Sequence, residues 1–334
     1  MQDCNIDWCQ MWYEMNEQAY RQTTEHRLIE WIRGVVGNNY IGDDCAVLPG
    51  QMLVTADTLV EGTHFLPELI KPADLGWKAV AANLSDIAAM AGYPRHIIVN
   101  LTLPSRFNFS DFRQLFLAMV DCARTYRTTI AGGDLTRGPV LVLTLTVLGQ
   151  TNENGCLLRS GACPGDLVIV SGDFGASAAG LWALRAEKEG YEKLKMAHLR
   201  PRPRLSEAWQ LVAATGSRGS LMDASDGLAD ALVQIARESS VGMEIDAAAV
   251  PVCQETEEAA RIAGANPLDW ALYGGEDYEL VATIPPSAWD AVRKSPDNCF
   301  TAIGRVKAGS GICLRAAEES ELDLSKCFQH WGDI

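Results

Sequence analysis

Between residues 79 and 92 the chain carries a single charged side chain, Asp86, in a stretch that is otherwise apolar or small. Val80, Leu84, Ile87 and Ala91 fall at helical spacing, and Gly92 with Pro94 supplies the stop, so a helix is expected over 74–91. Aspartate has poor propensity inside a helix, and burying an unpaired carboxylate is costly. Asp86 therefore calls for a partner, and a cation is the expected one.

Other aspartates sit in similarly uncharged surroundings. They are Asp43 and Asp44 (Ile-Gly-Asp-Asp-Cys-Ala-Val), Asp57 (Val-Thr-Ala-Asp-Thr), Asp134 (Ala-Gly-Gly-Asp-Leu) and the pair Asp223 and Asp226. Taken one at a time, each reads as a cap or turn residue. If several converge, their repulsion raises their pKa values unless hard cations neutralise them, and an all-oxygen ligand set suits Mg²⁺.

The charge balance sharpens that expectation. With 43 acidic against 28 basic residues, the net charge of −15 speaks against a nucleic-acid surface and against attraction to anionic membranes. A phosphorylated ligand would have to approach this negative chain, so metal ions or a local basic pocket must reverse the field at its site. Magnesium does so while taking some of its ligands from phosphate oxygens. The ten cysteines include no C-x-x-C pair, so neither a zinc site nor a redox motif is expected, and reduced thiols in a cytoplasm are. Residues 1–20 contain no Lys or Arg, the wrong polarity for a signal peptide, and no apolar run is long enough for a membrane span.

A length of 334 residues suggests two domains. Residues 1–23 read as an extension, followed by an amphipathic helix from about His26 that stops near Gly34 or Gly37. Strands at 45–48, 52–56, 96–103 and 140–148 and a helix at 111–126 complete the first half. The turn composition of Gln150 to Gly155 puts a boundary near it, giving domains at 24–150 and 151–334. In the second half, strands are expected at 167–171, 278–284 and 299–306. Helices are expected at 176–187, 205–214, 227–239 and 255–264. The fold class is a two-domain α/β chain of the α+β kind.

Glycine-rich turns are the other half of a phosphate site. There is no G-x-x-x-x-G-K-[ST], so this is not a P-loop protein. Gly132-Gly133-Asp134 and Gly274-Gly275-Glu276-Asp277 each read as a tight turn or as a place where backbone approaches a ligand. Glu276, Asp277 and Glu279 precede an apparent core strand, where acids are expensive without a use. His64 lies in a loop. Arg159, and Arg200, Arg202 and Arg204 in a Pro-rich loop, read either as phosphate clamps or as solvated surface.

Six motifs then occur in order: Ile41-Gly42-Asp43-Asp44-Cys45-Ala46-Val47, Ala56-Asp57-Thr58-Leu59-Val60-Glu61-Gly62-Thr63-His64-Phe65, Asn83-Leu84-Ser85-Asp86-Ile87-Ala88-Ala89-Met90, Gly132-Gly133-Asp134-Leu135-Thr136-Arg137-Gly138, Asp223-Ala224-Ser225-Asp226-Gly227-Leu228 and Gly274-Gly275-Glu276-Asp277-Tyr278-Glu279-Leu280. From about residue 25 onward the chain resembles the thiamine-monophosphate kinase family, in the superfamily of aminoimidazole ribonucleotide synthetase and selenophosphate synthetase. The resemblance implies an N-terminal mixed-sheet domain that pairs into a homodimer and a C-terminal α/β domain, with the active site in the cleft between them. It implies magnesium ligands at Asp44, Asp57, Asp86, Asp134, Asp223 and Asp226, with Thr55 contributing an oxygen. It also implies ATP contacts at Gly133, Asp134, Arg159 and Ser225, and thiamine phosphate contacts at His64, Glu276 and Phe328. Two departures stand out: Ala56 replaces a common hydroxyl residue, and the N-terminal Gly-Glu-Phe is missing. The implied reaction is the final step of thiamine diphosphate biosynthesis, ATP- and Mg²⁺-dependent phosphorylation of thiamine phosphate by in-line transfer. A sister ATP-using enzyme and a silent nucleotide-binding regulator are the alternatives.

Overall fold

The computed structural model describes residues 25–38, 40–295, 298–316, 319–322 and 326–327. The expected extension at 1–23 and Phe328 lie outside them. The chain divides into two units, one of residues 1–41 and 328–334 and one of residues 42–327. In the first, helix α1 (Glu25–Val36) carries Arg33 in its last turn, and Gly37 follows with φ +63°. This is the glycine stop expected from sequence.

The second unit carries both sheets. The first sheet consists of β1 (Ala46–Leu48), β2 (Met52–Val60), β3 (Tyr93–Leu103), β4 (Thr129–Arg137) and β5 (Val142–Gln150), in the order β1-β2-β5-β3-β4. Only β3 and β4 run parallel. Side chains alternate across a strand, and here the odd-numbered positions turn inward: Leu53 and Leu59 on β2, Ile97, Val99 and Leu101 on β3, Leu143, Leu145 and Val147 on β5. They pack in one core with helices α2 (Pro72–Ala89) and α3 (Phe109–Thr125).

The second sheet has seven strands: β6 (Leu167–Ser171), β7 (Ser220–Asp223), β8 (Gly242–Asp246), β9 (Leu280–Ile284), β10 (Phe300–Lys307), β11 (Ile312–Arg315) and β12 (Glu319–Glu321), ordered β12-β11-β8-β10-β6-β9-β7. Helices α4 (Ala176–Arg185), α5 (Glu192–Leu199), α6 (Leu205–Thr215), α7 (Leu228–Glu238), α8 (Gln254–Ala263), α9 (Pro267–Tyr273) and α10 (Pro286–Arg293) accompany it. Every residue of β6 and β9 is buried, as expected of strands covered on both faces. Leu167 and Ile169 share the core of α2 and α6, while Val168 and Val170 belong to a second core with Leu228 and Leu232 of α7.

The covering of both faces explains the uncharged stretch around Asp86. Helix α2 lies against the first sheet, α3, α6 and β7 at once, and thirteen of its residues, from Leu75 to Ala89, are buried. A helix enclosed on nearly every side has no polar face to present.

One expected turn proves to be a strand. Gly132-Gly133-Asp134 lies within β4, whose residues pair in parallel with β3, Val99 opposite Gly133 and Asn100 opposite Asp134. A Cβ on Gly133 would stand 1.8 Å from the Val99 carbonyl oxygen, so glycine here serves a close strand approach. Gly133→Ala is expected to cost about 1–3 kcal/mol through that overlap, read from the midpoint of urea denaturation.

Candidate active site

Three expected metal ligands meet. Asp44 precedes β1, Asp86 sits in the last turn of α2, Asp223 ends β7, and each offers a carboxylate oxygen within 4.8 Å of the others. On β2, Thr55 and Asp57 are two residues apart and so face the same way, toward α2. There Thr55 Oγ1 donates to Asp86 Oδ2 at 2.5 Å, and Asn83 Oδ1 accepts the Asp57 amide at 3.0 Å. Asn83 is itself anchored through Nδ2 to the Ala79 carbonyl at 2.9 Å. Before Ala46, which sits opposite Val54, β1 does not pair with β2, so the Asn83 side chain takes the Asp57 amide past the end of that ladder.

The electrostatics of this group are unfavourable as it stands. Burial, and then the charges of Asp57, Asp223 and Asp44, push the Asp86 pKa far above the carboxylate range, with the Thr55 hydrogen bond opposing. Burial and Asp44 do the same to Asp223 and raise Asp57 to about 6. Asp223 is 1% exposed, and its Oδ2 has no hydrogen-bond partner among the described residues. The Ser85 hydroxyl nearby only partly opposes the burial of Asp223, and a buried oxygen without a well-aligned donor, inside a set of carboxylates, has the ligand chemistry of a hard cation site.

Arg159 supplies the adjoining counter-charge. It lies on a 3₁₀ turn (Arg159–Gly161), where Nη2 donates to Asp44 Oδ1 at 2.7 Å and Nε to Asp44 Oδ2 at 3.3 Å. Its Nη1 bonds Gln234 of α7, and its backbone amide donates to Asp43 Oδ1 at 2.7 Å. Asp43 thus positions the turn that carries Arg159, and Arg159 grips a cluster carboxylate.

The other expected residues are more spread out. Gly133 and Asp134 lie on the exposed strand β4, and Asp134 is not part of the three-carboxylate group. Asp226 and Ser225 follow β7 in the loop before α7, and the Ser225 carbonyl accepts the Glu276 amide at 2.6 Å. His64 follows β2, and its Nδ1 accepts the Val60 amide at 3.0 Å.

Glu276 closes a second cluster. Its Oε1 is 2.7 Å from Lys78 Nζ on α2, and its Oε2 is 3.4 Å from His198 Nδ1. Burial raises the Glu276 pKa, but Lys78, through its charge and its contact with the carboxylate, leads the opposing interactions that hold the carboxyl low; His198 and His64 add to them only where protonated. His64 and Glu276, both expected to touch one substrate, are therefore electrostatic neighbours. Lys78, His198 and Asn83 escaped the sequence reading. Lys78 was legible as the sole charge between residues 75 and 85, but His198 has no comparable signal.

The remaining acids of that motif are structural. Asp277 accepts the amides of Gly175 at 2.8 Å and Ser177 at 3.0 Å, capping α4, while burial raises its pKa to about 7. Glu279, 6% exposed, bonds Ser171 and Arg204. Each loop arginine already holds a carboxylate, and the Arg202 side chain stays 62% exposed, as the solvated-surface reading expects. Arg200 pairs with Asp74, Arg202 with Glu207, and Arg204 with Glu207 and Glu279. Arg204→Met would strand the buried Glu279 charge, and a loss of roughly 3–5 kcal/mol is expected in equilibrium unfolding.

The chain is similar to known proteins along most of its length. Residues 42–151 match the family model for the N-terminal domain of AIR synthase related protein, and residues 163–316 match the model for its C-terminal domain. The chain is 35% identical over 331 residues to thiamine-monophosphate kinase of Synechococcus elongatus, covering 95% of this chain and 99% of that one. It is 39% identical over 311 residues to thiamine-monophosphate kinase of Escherichia coli K12, covering 87% and 91%. Its fold superimposes on a solved structure described as AaThiL complexed with AMPPCP and TMP, with TM-score 0.84, 32% identity, and 93% of this chain and 98% of that one covered.

Proposed function

The chain belongs to the thiamine-monophosphate kinase family, and on that premise we propose that it phosphorylates thiamine phosphate to thiamine diphosphate with ATP, by direct in-line transfer of the γ-phosphoryl group. The observation that carries this reading is the convergence of Asp44, Asp86 and Asp223, with one buried Asp223 oxygen that makes no well-aligned hydrogen bond. An all-oxygen set of this kind fits Mg²⁺. Asp44, Thr55, Asp57, Asp86 and Asp223 are assigned to hold magnesium, and Asp134 and Asp226 to complete the set. When bound, magnesium screens the repulsion between two anionic reactants and polarises the transferring phosphoryl group.

The chain's own residues do the rest. Arg159, tied to Asp44 by two N–H groups, holds that carboxylate in place, and together with Gly133, Asp134 and Ser225 it is assigned to ATP. His64 and Glu276 are assigned to thiamine phosphate, as is Phe328, which lies outside the described residues. No general base is required, because the second pKa of a phosphate monoester is near 6 and the attacking oxygen is already mostly ionised at neutral pH.

The same reading makes the protein a homodimer acting in the cytoplasm, with its domain boundary near residue 150. Among the described residues no helix is long and apolar enough to cross a membrane. The test is to incubate the protein with magnesium, ATP and thiamine phosphate and detect thiamine diphosphate chromatographically after oxidation to the fluorescent thiochrome form. Product dependent on both ATP and magnesium is expected. ATP binding without product would sink the proposal.

A further inference from the structure

The Lys78 side chain is an unusual thing to bury. It is 1% exposed and is among the largest fully buried side chains of the described residues. An ammonium group removed from water is costly unless it is paired. Its close charged neighbour is Glu276 Oε1 at 2.7 Å, and Nζ makes no well-aligned hydrogen bond with any described residue. The pair is lopsided, since the Glu276 side chain remains 29% exposed. A ligand can therefore reach the carboxylate without reaching the lysine.

Glu276 is restrained at its backbone and at its second oxygen as well. Its amide donates to the Ser225 carbonyl at 2.6 Å, and its φ is +57°, a left-handed conformation that a non-glycine residue adopts only when its surroundings impose it. Its second oxygen faces His198 Nδ1, which also contacts Ser177 Oγ at 3.1 Å. Burial, and then the charge of Lys78, lower the His198 pKa to about 4. The imidazole is therefore neutral at pH 7, which leaves Lys78 as the basic partner at 2.7 Å from the carboxylate. Lys78 and Asp86 stand on the same helix eight residues apart, which at the α-helical rise separates their Cα atoms by about 12 Å along the axis. That spacing suits an elongated two-ring phosphate ester, with its phosphate toward the carboxylate cluster and its cationic head toward Glu276.

We infer that Lys78 is a positioning residue, holding the Glu276 carboxylate aimed at the cationic two-ring head of thiamine phosphate. The inference rests on the function proposed above and on Glu276 as a substrate contact. Lys78 acts through Glu276, and that makes a definite kinetic prediction.

The test compares wild type, Lys78→Met, Glu276→Gln and the double variant, with KM measured for each substrate. Lys78→Met is expected to raise KM for thiamine phosphate about tenfold or more, the lower end of what outer-shell partners are worth, while KM for ATP stays unchanged. The double variant is expected to bind thiamine phosphate no worse than Glu276→Gln alone, because there is no carboxylate left to position. Lower thermal stability and kcat with an unchanged KM for thiamine phosphate would mean a purely structural ion pair and overturn the inference. Additive effects in the double variant would overturn it too, by showing that Lys78 acts independently. Should Lys78→Met not fold, Lys78→Arg keeps the charge but displaces it. The same selective rise in KM is expected, and its absence counts against the inference. No thiamine phosphate turnover by the wild type would overturn the proposed function, and the inference with it. An active wild type beside an unaffected Lys78→Met would overturn the inference alone.

Discussion

Asp86→Asn is expected to lower turnover by on the order of 10²–10³-fold, the scale on which losing one stabiliser of transition-state charge is felt, while the protein stays folded. Three observations place Asp86 where its charge matters. It shares a 4.8 Å cluster with Asp44 and Asp223, it accepts a hydrogen bond from Thr55, and it sits in a helix enclosed by both sheets. Asparagine keeps the shape and an acceptor oxygen but removes the negative charge that balances a divalent ion. Because the metal-free cluster is mutually repulsive, the substitution should make the metal-free protein more stable at neutral pH, not less. Steady-state turnover and a thermal melt without magnesium check the two halves together. Near wild-type turnover at limiting magnesium would remove Asp86 from the metal set.

Magnesium is expected to stabilise the protein more as pH rises. Asp57 is raised to about 6, and Asp86 and Asp223 are raised further. In the unfolded chain the same groups titrate near about 4. Their folded pKa values are the higher ones, so the folded state binds more protons over this range. The stability these groups contribute is full below about pH 4 and is lost as pH rises through about 6 and above. Metal binds the ionised carboxylates and removes the repulsion, so its stabilisation grows over the same window. Thermal melts with and without magnesium should show a small shift at pH 5 and a much larger one at pH 8. In Asp86→Asn the pH 8 shift should shrink. Equal shifts at the two pH values would mean that magnesium binds somewhere other than these three aspartates.

Much of the fold was readable where a segment's own pattern decides its structure. The strand at 167–171 and the helices near 176–187, 205–214, 227–239 and 255–264 fall within two residues of their observed bounds. Periodicity and glycine or proline punctuation are local properties there. Strands β4, β7, β8, β11 and β12 were not legible. β7 and β11 are four residues long and β12 three, and they exist because a neighbouring strand supplies their hydrogen bonds. β4 was hidden by its two glycines, whose turn-like composition answers to a close strand approach.

The candidate site divides in the same way. The sequence by itself determined which carboxylates would be expensive to bury, because an aspartate alone in an apolar helix, or acids at the head of a core strand, carries its cost wherever the chain goes. Only the tertiary structure decided which of them meet. Asp44, Asp86 and Asp223, far apart in sequence, converge because α2 packs against β2 of one sheet and β7 of the other, whereas Asp277 and Glu279 turn to a helix cap and to Arg204. The pairing of Lys78 with Glu276, 198 positions later, arises the same way. Propensity and patterning act over a few residues, but the partner of a buried charge is whatever the packing of distant elements brings within hydrogen-bonding distance.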